Sequence, residues 1–444
     1  MKHALIALGV ACTPLAVGPQ ERPVEDLAGS VAAHYDGHLR ALFEHLHANP
    51  ELSFVEFETS KRLAAELRAT GAEVTEGVGG TGVVGMLRNG EGPLVLVRAD
   101  MDGLPIAEET GLPYASEAVF MTEAGTALPV MHACGHDVHM TVLVGTAHQL
   151  ARRKDAWSGT VMLVGQPAEE RIGGARAMLR DRLYERFGVP DAALAIHVSA
   201  GKPAGKIMLS DGLLASSSDS VDIVVRGIGA HGASPHKGKD PIYIGAQIVV
   251  ALQGLVSREL SPQEPGVVTV GSFHGGTKHN IIPEEARLQL TVRSDSEATR
   301  KTLLDGIVRI AENIGRANGL PEDLLPTVEL STEATPTTVN DPKLAGRVRA
   351  AIVRGMGEGA MHPFLREGMG AEDFAYFVRT KESVPGAYLQ VGGTAQADLD
   401  AARAGGPPVP SHHSPIFRIE PEPSVKKGVE AMTLAVMDLL TPPD

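Results

Sequence analysis

Two cysteines, one tryptophan and an aromatic share of 4% are spread over 444 residues. So few thiols exclude a disulfide scaffold. Surplus base is missing as well: 40 Lys and Arg stand against 54 Asp and Glu, a formal net charge of -14. Nucleic acid is excluded as a partner on that ground, because phosphate backbones are bound through clustered Lys and Arg, and no basic stripe is present. The apolar run over residues 4–17 behind Lys2 is too short to cross a bilayer comfortably. It has the shape of a secretory signal, so residues 1–18 are read as a leader and the protein as exported, to the periplasm or beyond; the alternative is a plain N-terminal tail on a cytoplasmic protein. Removal of that leader takes Cys12 with it. Cys134 then has no internal partner, and its presence needs another explanation.

What is present is the composition of a globular protein: 43% hydrophobic and 21% charged residues, with 50 Gly and 30 Pro. The length suffices for two cores. Apolar residues recur at helical spacing through Leu39, Leu42, Phe43 and Leu46, and again through Leu63, Ala64 and Leu67. Strands are predicted at 82–87, 94–97, 160–164 and 193–198, with a helix near 140–150. The same alternation returns with a helix at 342–354, a strand at 387–391 and a helix at 424–440. This grammar predicts an α/β fold whose mainly parallel sheet is covered by helices. Between these halves, 216–331 reads as strand, helix, two strands, helix and strand. That order is the ferredoxin-like β-α-β-β-α-β unit, inserted into a catalytic body formed by 24–215 and 332–444.

The 17 histidines are not scattered evenly. MHACGHDVH (131–139) crowds a thiol, three imidazoles and a carboxylate into nine residues. Gly135 lets the backbone turn so that Cys134 and His136 can face one ion. Cys as a small buried hydrophobe and His as a satisfied core group explain one such residue well and five together poorly. QPAEE (166–170) follows a predicted strand, where open α/β sheets place their sites. Hydrolysis wants one carboxylate on a metal and another free to take a proton, although a solvated Glu-Glu pair explains this motif taken alone. His197 closes an apolar strand, and HHSP (412–415) adds two more imidazoles. RADMDGLP (98–105) places Asp100 and Asp102 after a strand, to orient a metal-bound His or to cap the next segment.

These motifs, with GIGAHGASPHKGKDP (227–241), HNIIP (279–283), GAEDF (370–374) and HHSPIF (412–417) in order, resemble the M20 metallopeptidases. Within them the amidohydrolase branch is indicated, that of hippurate hydrolases, N-acyl-amino-acid amidohydrolases and indole-acetyl-amino-acid hydrolases. The resemblance implies two divalent metal ions per subunit (Zn, Mn, Co or Ni) bridged by Cys134. Glu170 and His413 would complete one site, His136 and His197 the other. It implies hydrolysis of N-acyl or N-aroyl amino acids by a metal-bound hydroxide, with Glu169 as general base and Asp102 orienting a ligand. The inserted unit would be a lid and dimerisation domain, so the chain is expected as a homodimer or higher homo-oligomer. From that unit His231 would stabilise the oxyanion in the partner's site, and Asn280 would touch substrate. Glu372 and Asp373 would shape the pocket. Val138 stands where this branch usually has Gly, Ala230 and Gly232 replace Gly and Ala around His231, and Gly103 replaces Ala. Val138 borders the metal motif and is expected to bear on the acyl pocket.

Overall fold

The computed structural model describes residues 26–441; the expected leader at 1–18, with Cys12, lies outside them. A seven-stranded sheet runs in the order Glu73–Val78, Gly82–Asn89, Gly159–Gln166, Leu94–Asp100, Ala192–Pro203, Gly386–Thr394 and Ile207–Met208. Its four strands from Gly159–Gln166 to Gly386–Thr394 are parallel, and antiparallel strands flank them. Side chains alternate between two cores, as strand geometry requires. Val95, Val97, Val161, Leu163, Leu194 and Ile196 pack into the larger core. Leu96, Met162, Val164, Ala193 and Ala195 pack into the other. Burial on both faces makes these strands read as continuous apolar runs.

Helices His136–Arg152 and Pro421–Leu440 lie against the larger core together with the N-terminal helical segment. That segment runs as Leu27–His34, a π-helical turn Tyr35–Leu39, and Arg40–Ala48. The helix expected near 140–150 begins at His136, so the metal motif sits across its first turn. The strand Glu73–Val78 escapes the apolar pattern because it is a mostly exposed edge.

A second sheet is antiparallel throughout, in the order Gly266–Gly275, Glu285–Ser294, Ser217–Arg226, Thr327–Thr335. Helices Pro241–Gly254 and Glu297–Ala317 cover it, and Ile223, Ile248, Leu288, Leu303 and Ile307 form a core of its own. Its first strand therefore pairs with its last, the split arrangement of a β-α-β-β-α-β unit. The last strand runs on to Thr335, past residue 331.

Candidate metal centre and catalytic pocket

The pocket lies at the C-terminal ends of the parallel strands, where open α/β sheets place their sites. Gly135 turns the chain at φ +88°, and a Cβ there would meet Val198 Cγ1 at 2.3 Å. Only glycine permits that turn, which sets Cys134 just before the helix and His136 in its first residue. Ligand atoms of Cys134, His136 and His197 lie within 4.8 Å of one another, and so do those of Cys134, Glu170 and His413. Cys134 is thus common to two three-residue groups.

Hydrogen bonds select the ring nitrogen that each histidine presents. His136 Nδ1 donates to the backbone oxygen of Asp102 at 2.8 Å, leaving Nε2 buried without a partner. His197 Nδ1 donates to the carbonyl of Val198 at 2.6 Å, leaving Nε2 3.5 Å from Cys134 Sγ. Both rings therefore present a lone pair toward the thiol, with the other nitrogen anchored, as metal-ligating histidines do. His139 is different. Its Nδ1 donates to Asp100 Oδ1 at 2.5 Å and its Nε2 accepts the N–H of Val198 at 2.8 Å, so no lone pair remains for a metal.

Glu170 Oε1 is also buried and unpartnered, 3.4 Å from His413 Nε2 and 3.9 Å from His136 Nε2. Of the two candidates at the C-terminal end, His413 reaches this group at a left-handed φ of 63°. His412 instead accepts the N–H of Ala200 through Nε2 at 3.0 Å. Burial, with Glu170 and Glu169 beside it, pushes the Cys134 thiol well above its ordinary range. Burial opposes charge on His136, yet Asp100 and Asp102 lift it to about 10. A pocket this rich in buried carboxylates calls for positive charge. Divalent ions would take the place of the His136 proton and hold Cys134 as thiolate, so the residues fit a metal centre.

Glu169 lines a cavity of about 690 Å³ together with Cys134, Glu170, His197 and His413. Its carboxylate accepts no hydrogen bond among the described residues. Burial and the neighbouring Glu372, Glu170 and Asp373 push it well above the usual carboxylate range. Asp102 stands behind the pair. Its oxygens accept the backbone N–H of Glu169 and of Glu170, each at 3.1 Å, and the hydroxyl of Ser53 at 2.6 Å. One aspartate thus holds both glutamates through its carboxylate and the tautomer of His136 through its backbone carbonyl.

The sequence reading missed two residues. Arg98 is wholly buried and binds Asp100 at 2.7 Å, Glu372 at 2.9 Å and Asp373 at 3.2 Å. Breaking such a buried pair costs about 3–5 kcal/mol. Arginine at a strand end carries little signal of its own: Asp100 is two residues away, but Glu372 and Asp373 come from far along the chain. Glu56, also fully buried, accepts the N–H of Ala168, whose φ is +49°. It braces the turn that presents Glu169.

The inserted unit contributes Ser218, Ser220, Arg293 and Glu333 to the cavity lining. His231 and Asn280 do not line it. They are neighbours of each other, since Ala230–His231 pairs with Ile281–Ile282 and Gly232 N–H donates to the Asn280 carbonyl at 2.9 Å. Both are exposed. Val138 also departs from expectation: it is fully buried in the larger core and is not part of the cavity wall.

The model of peptidase family M20/M25/M40 matches residues 96–437. Thermostable carboxypeptidase 1 of Saccharolobus solfataricus is 38% identical over 351 residues, which cover 78% of this chain and 84% of that protein. Hippurate hydrolase of Campylobacter jejuni is 38% identical over 347 residues, covering 78% of this chain and 86% of that one. A crystal structure of the Bacillus subtilis YXEP protein, a dinuclear metal binding peptidase from the M20 family, superposes with a TM-score of 0.72 at 28% identity. That match covers 93% of this chain and 99% of the other. With a family match over more than half its length and a metal pocket at the expected strand ends, this chain belongs to peptidase family M20/M25/M40, on its amidohydrolase branch, and is a metal-dependent amidohydrolase.

Proposed function

We propose that the protein hydrolyses the amide bond of N-acyl or N-aroyl amino acids, releasing a carboxylic acid and a free amino acid. The observation that carries this reading is Glu169: a buried carboxylate with no hydrogen-bond donor, set beside the ligand cluster and facing the cavity. Two divalent ions held by Cys134, His136, Glu170, His197 and His413 would supply Lewis acidity for the carbonyl and acidify a water. Glu169 takes the proton of that water and delivers it to the leaving nitrogen.

Arg293 supports a free carboxylate on the substrate. It lines the cavity, and the one hydrogen bond of its guanidinium among the described residues goes to Thr291 Oγ1 at 3.1 Å. Burial lowers its pKa and Asp219 offsets that only in part, so its charge lacks full compensation. A substrate carboxylate would supply that. A carboxypeptidase reading, favoured by the similarity to a thermostable carboxypeptidase, needs the same arginine and also a partner for the free ammonium of a peptide. The two most exposed acidic side chains of the lining are already engaged, Glu333 with Arg171 at 2.8 Å and Glu367 with Lys202. That favours an uncharged acyl group.

The test is turnover on a panel of N-acyl amino acids, their C-terminal amides and dipeptides. Free-carboxylate acyl amino acids should be cleaved best, and Arg293→Gln should lower kcat/KM on them by roughly 10- to 100-fold, the worth of one charge-assisted hydrogen bond. Preference for dipeptides would replace this reading with the peptidase one.

His231 does not line the cavity of its own subunit, which supports its acting from a second copy. Helix Pro241–Gly254 leaves Tyr243 58% and Val250 74% exposed, an apolar face suited to self-association. Loss of an oxyanion donor costs ~10²–10³-fold in turnover, the fall expected for His231→Ala. Mixing it with Glu169→Ala under subunit exchange should restore part of the activity, because some mixed dimers regain one intact site. No recovery in proven heterodimers would place His231 outside the reaction.

A further inference from the structure

The catalytic cavity has an apolar wall that the bond-breaking step does not use. Leu214 and Ala215 come from the short strand Leu213–Ala215, and Phe364 and Leu365 from residues 362–372, which form neither helix nor strand. Leu214 belongs to the second core of the seven-stranded sheet, and Ala215 and Phe364 pack against that core. Leu365 is 65% exposed. A lone exposed leucine on a protein surface needs no explanation. This one lines the cavity together with three other apolar side chains, as in sites where apolar walls surround a few polar groups that fix the ligand's orientation.

Hydrogen bonds hold the wall next to Arg293. Arg366 Nη2 donates to both carboxylate oxygens of Asp295, at 2.7 and 2.8 Å, and Asp295 follows Arg293 by two residues. Asp295 also accepts the hydroxyl of Ser216 at 2.6 Å, and the Ser216 N–H donates to the carbonyl of Gly370 at 2.8 Å. Leu365 and Ala215 are thus each the chain neighbour of a residue fixed on Asp295. Ser218 in turn stands opposite Arg293 in the sheet register. A wall tied down in this way is in place before substrate arrives, which spares part of the ordering cost of binding.

The charges around the wall are already matched. Outside the metal cluster and Glu169, the charged lining residues other than Arg293 all stand in ion pairs: Lys202 with Glu367, Arg366 with Asp295, Glu333 with Arg171 and Glu372 with Arg98. Ser218 and Ser220 beside Arg293 are small and uncharged.

We infer that the wall of Leu214, Ala215, Phe364 and Leu365 receives the side chain of the substrate's amino acid, so that the enzyme selects N-acylated amino acids whose side chains are large and apolar, of the leucine and phenylalanine kind. This assignment rests on the function proposed above, in which Arg293 takes the substrate carboxylate and the metal centre its amide. Carboxylate and side chain hang from the same α-carbon, so a carboxylate on Arg293 delivers the side chain to the groups fixed beside that arginine. The acyl group lies across a trans amide, away from the α-carbon. A charged side chain would lose its hydration there and meet no free opposite charge.

The experiment measures kcat/KM on two substrate series with the metal-loaded enzyme and with Leu365→Ala. In the first series one benzoyl group is carried by Gly, Leu, Phe, Asp and Lys. In the second, Gly carries acetyl, butanoyl or benzoyl. The unmodified enzyme should prefer the Leu and Phe conjugates to those of Gly, Asp and Lys by at least about tenfold, the low end of what added apolar groups are worth in such a pocket. Leu365→Ala should cut the Leu-to-Gly ratio about tenfold and leave the order of the acyl series as it was. The exposed position of Leu365 keeps this variant folded, and Phe364→Ala, which loosens the same wall from its core side, should shift the ratio in the same direction. A flat first series, or a variant that reorders the acyl series and keeps the Leu-to-Gly ratio, would overturn the inference while hydrolysis of acyl amino acids stood. Failure of the unmodified enzyme to cleave any conjugate would instead remove the proposed function, and this inference with it.

Discussion

The two ends of helix His136–Arg152 both gather histidines, and they are built differently. At the N-terminal end three rings are each oriented by a second partner: the Asp102 carbonyl for His136, the Val198 carbonyl for His197, Asp100 for His139. At the C-terminal end, where His34 and His38 meet His148, only His38 has an anionic partner, Glu66, while His34 and His148 each leave a buried nitrogen unused. Histidine density alone does not make a catalytic centre. What distinguishes the first end is fixed tautomers beside a carboxylate free to carry a proton.

The largest expected effect that separates the two ends is on turnover. Glu169→Ala should lower kcat by ~10²–10⁴-fold, the usual contribution of a general base, with metal content unchanged because Glu169 is assigned no ligand role. Near-normal kcat in a metal-loaded variant would remove the assignment. At the other end Glu66→Gln should leave kcat untouched.

A smaller effect tests the orienting partners. Asp102→Asn keeps the shape but weakens the hold on the Glu169 and Glu170 backbone and on His136, so metal affinity or activity should fall by about 10–100-fold, as for other outer-shell substitutions. Metal competition with a chelator of known affinity measures it. An unchanged affinity together with unchanged kcat would mean that Asp102 only caps the turn.

The smallest effect on catalysis, though not on stability, concerns a buried ion-pair cluster that also belongs to the metal end. His47 lies between Asp137 at 2.7 Å and Glu108 at 3.1 Å. Burial opposes its charge, but these carboxylates raise it from the ordinary 6.5 to about 10. A raised histidine stabilises the fold fully below its unfolded value, and that contribution fades as pH climbs through the folded one. His47→Gln should therefore be less stable at pH 6 by about 3–5 kcal/mol, as when a buried pair is broken. Denaturant unfolding at a series of pH values should show the gap narrowing between 6.5 and about 10. A gap that stayed constant with pH would show that packing, and not charge, is what His47 contributes.

Local pattern made much of the catalytic body legible. The apolar runs announce strands buried on both faces, and nearly every helix of the body that was expected is present within a few residues. The candidate centre was legible where its residues cluster in sequence, as Cys134 with His136 and Glu169 with Glu170. Arg98 and Glu56 left no trace, because a buried ion pair or a turn brace is defined by partners that fold in from elsewhere. The Glu73–Val78 strand was invisible for the opposite reason: an exposed edge has no apolar periodicity to read.

Residue chemistry and spacing by themselves determined that this chain has a sheet with chemistry at its strand ends, an inserted β-α-β-β-α-β unit, and a thiol set among imidazoles. Tertiary structure alone decided which nitrogen of each histidine is free, that His139 is spent on Asp100 and the Val198 amide, and that Val138 belongs to the core. It also decided that His231 and Asn280 lie away from the cavity of their own subunit. The reason is physical. A side chain's type is a local property, whereas its tautomer, charge and reach are set by whatever the rest of the chain packs against it.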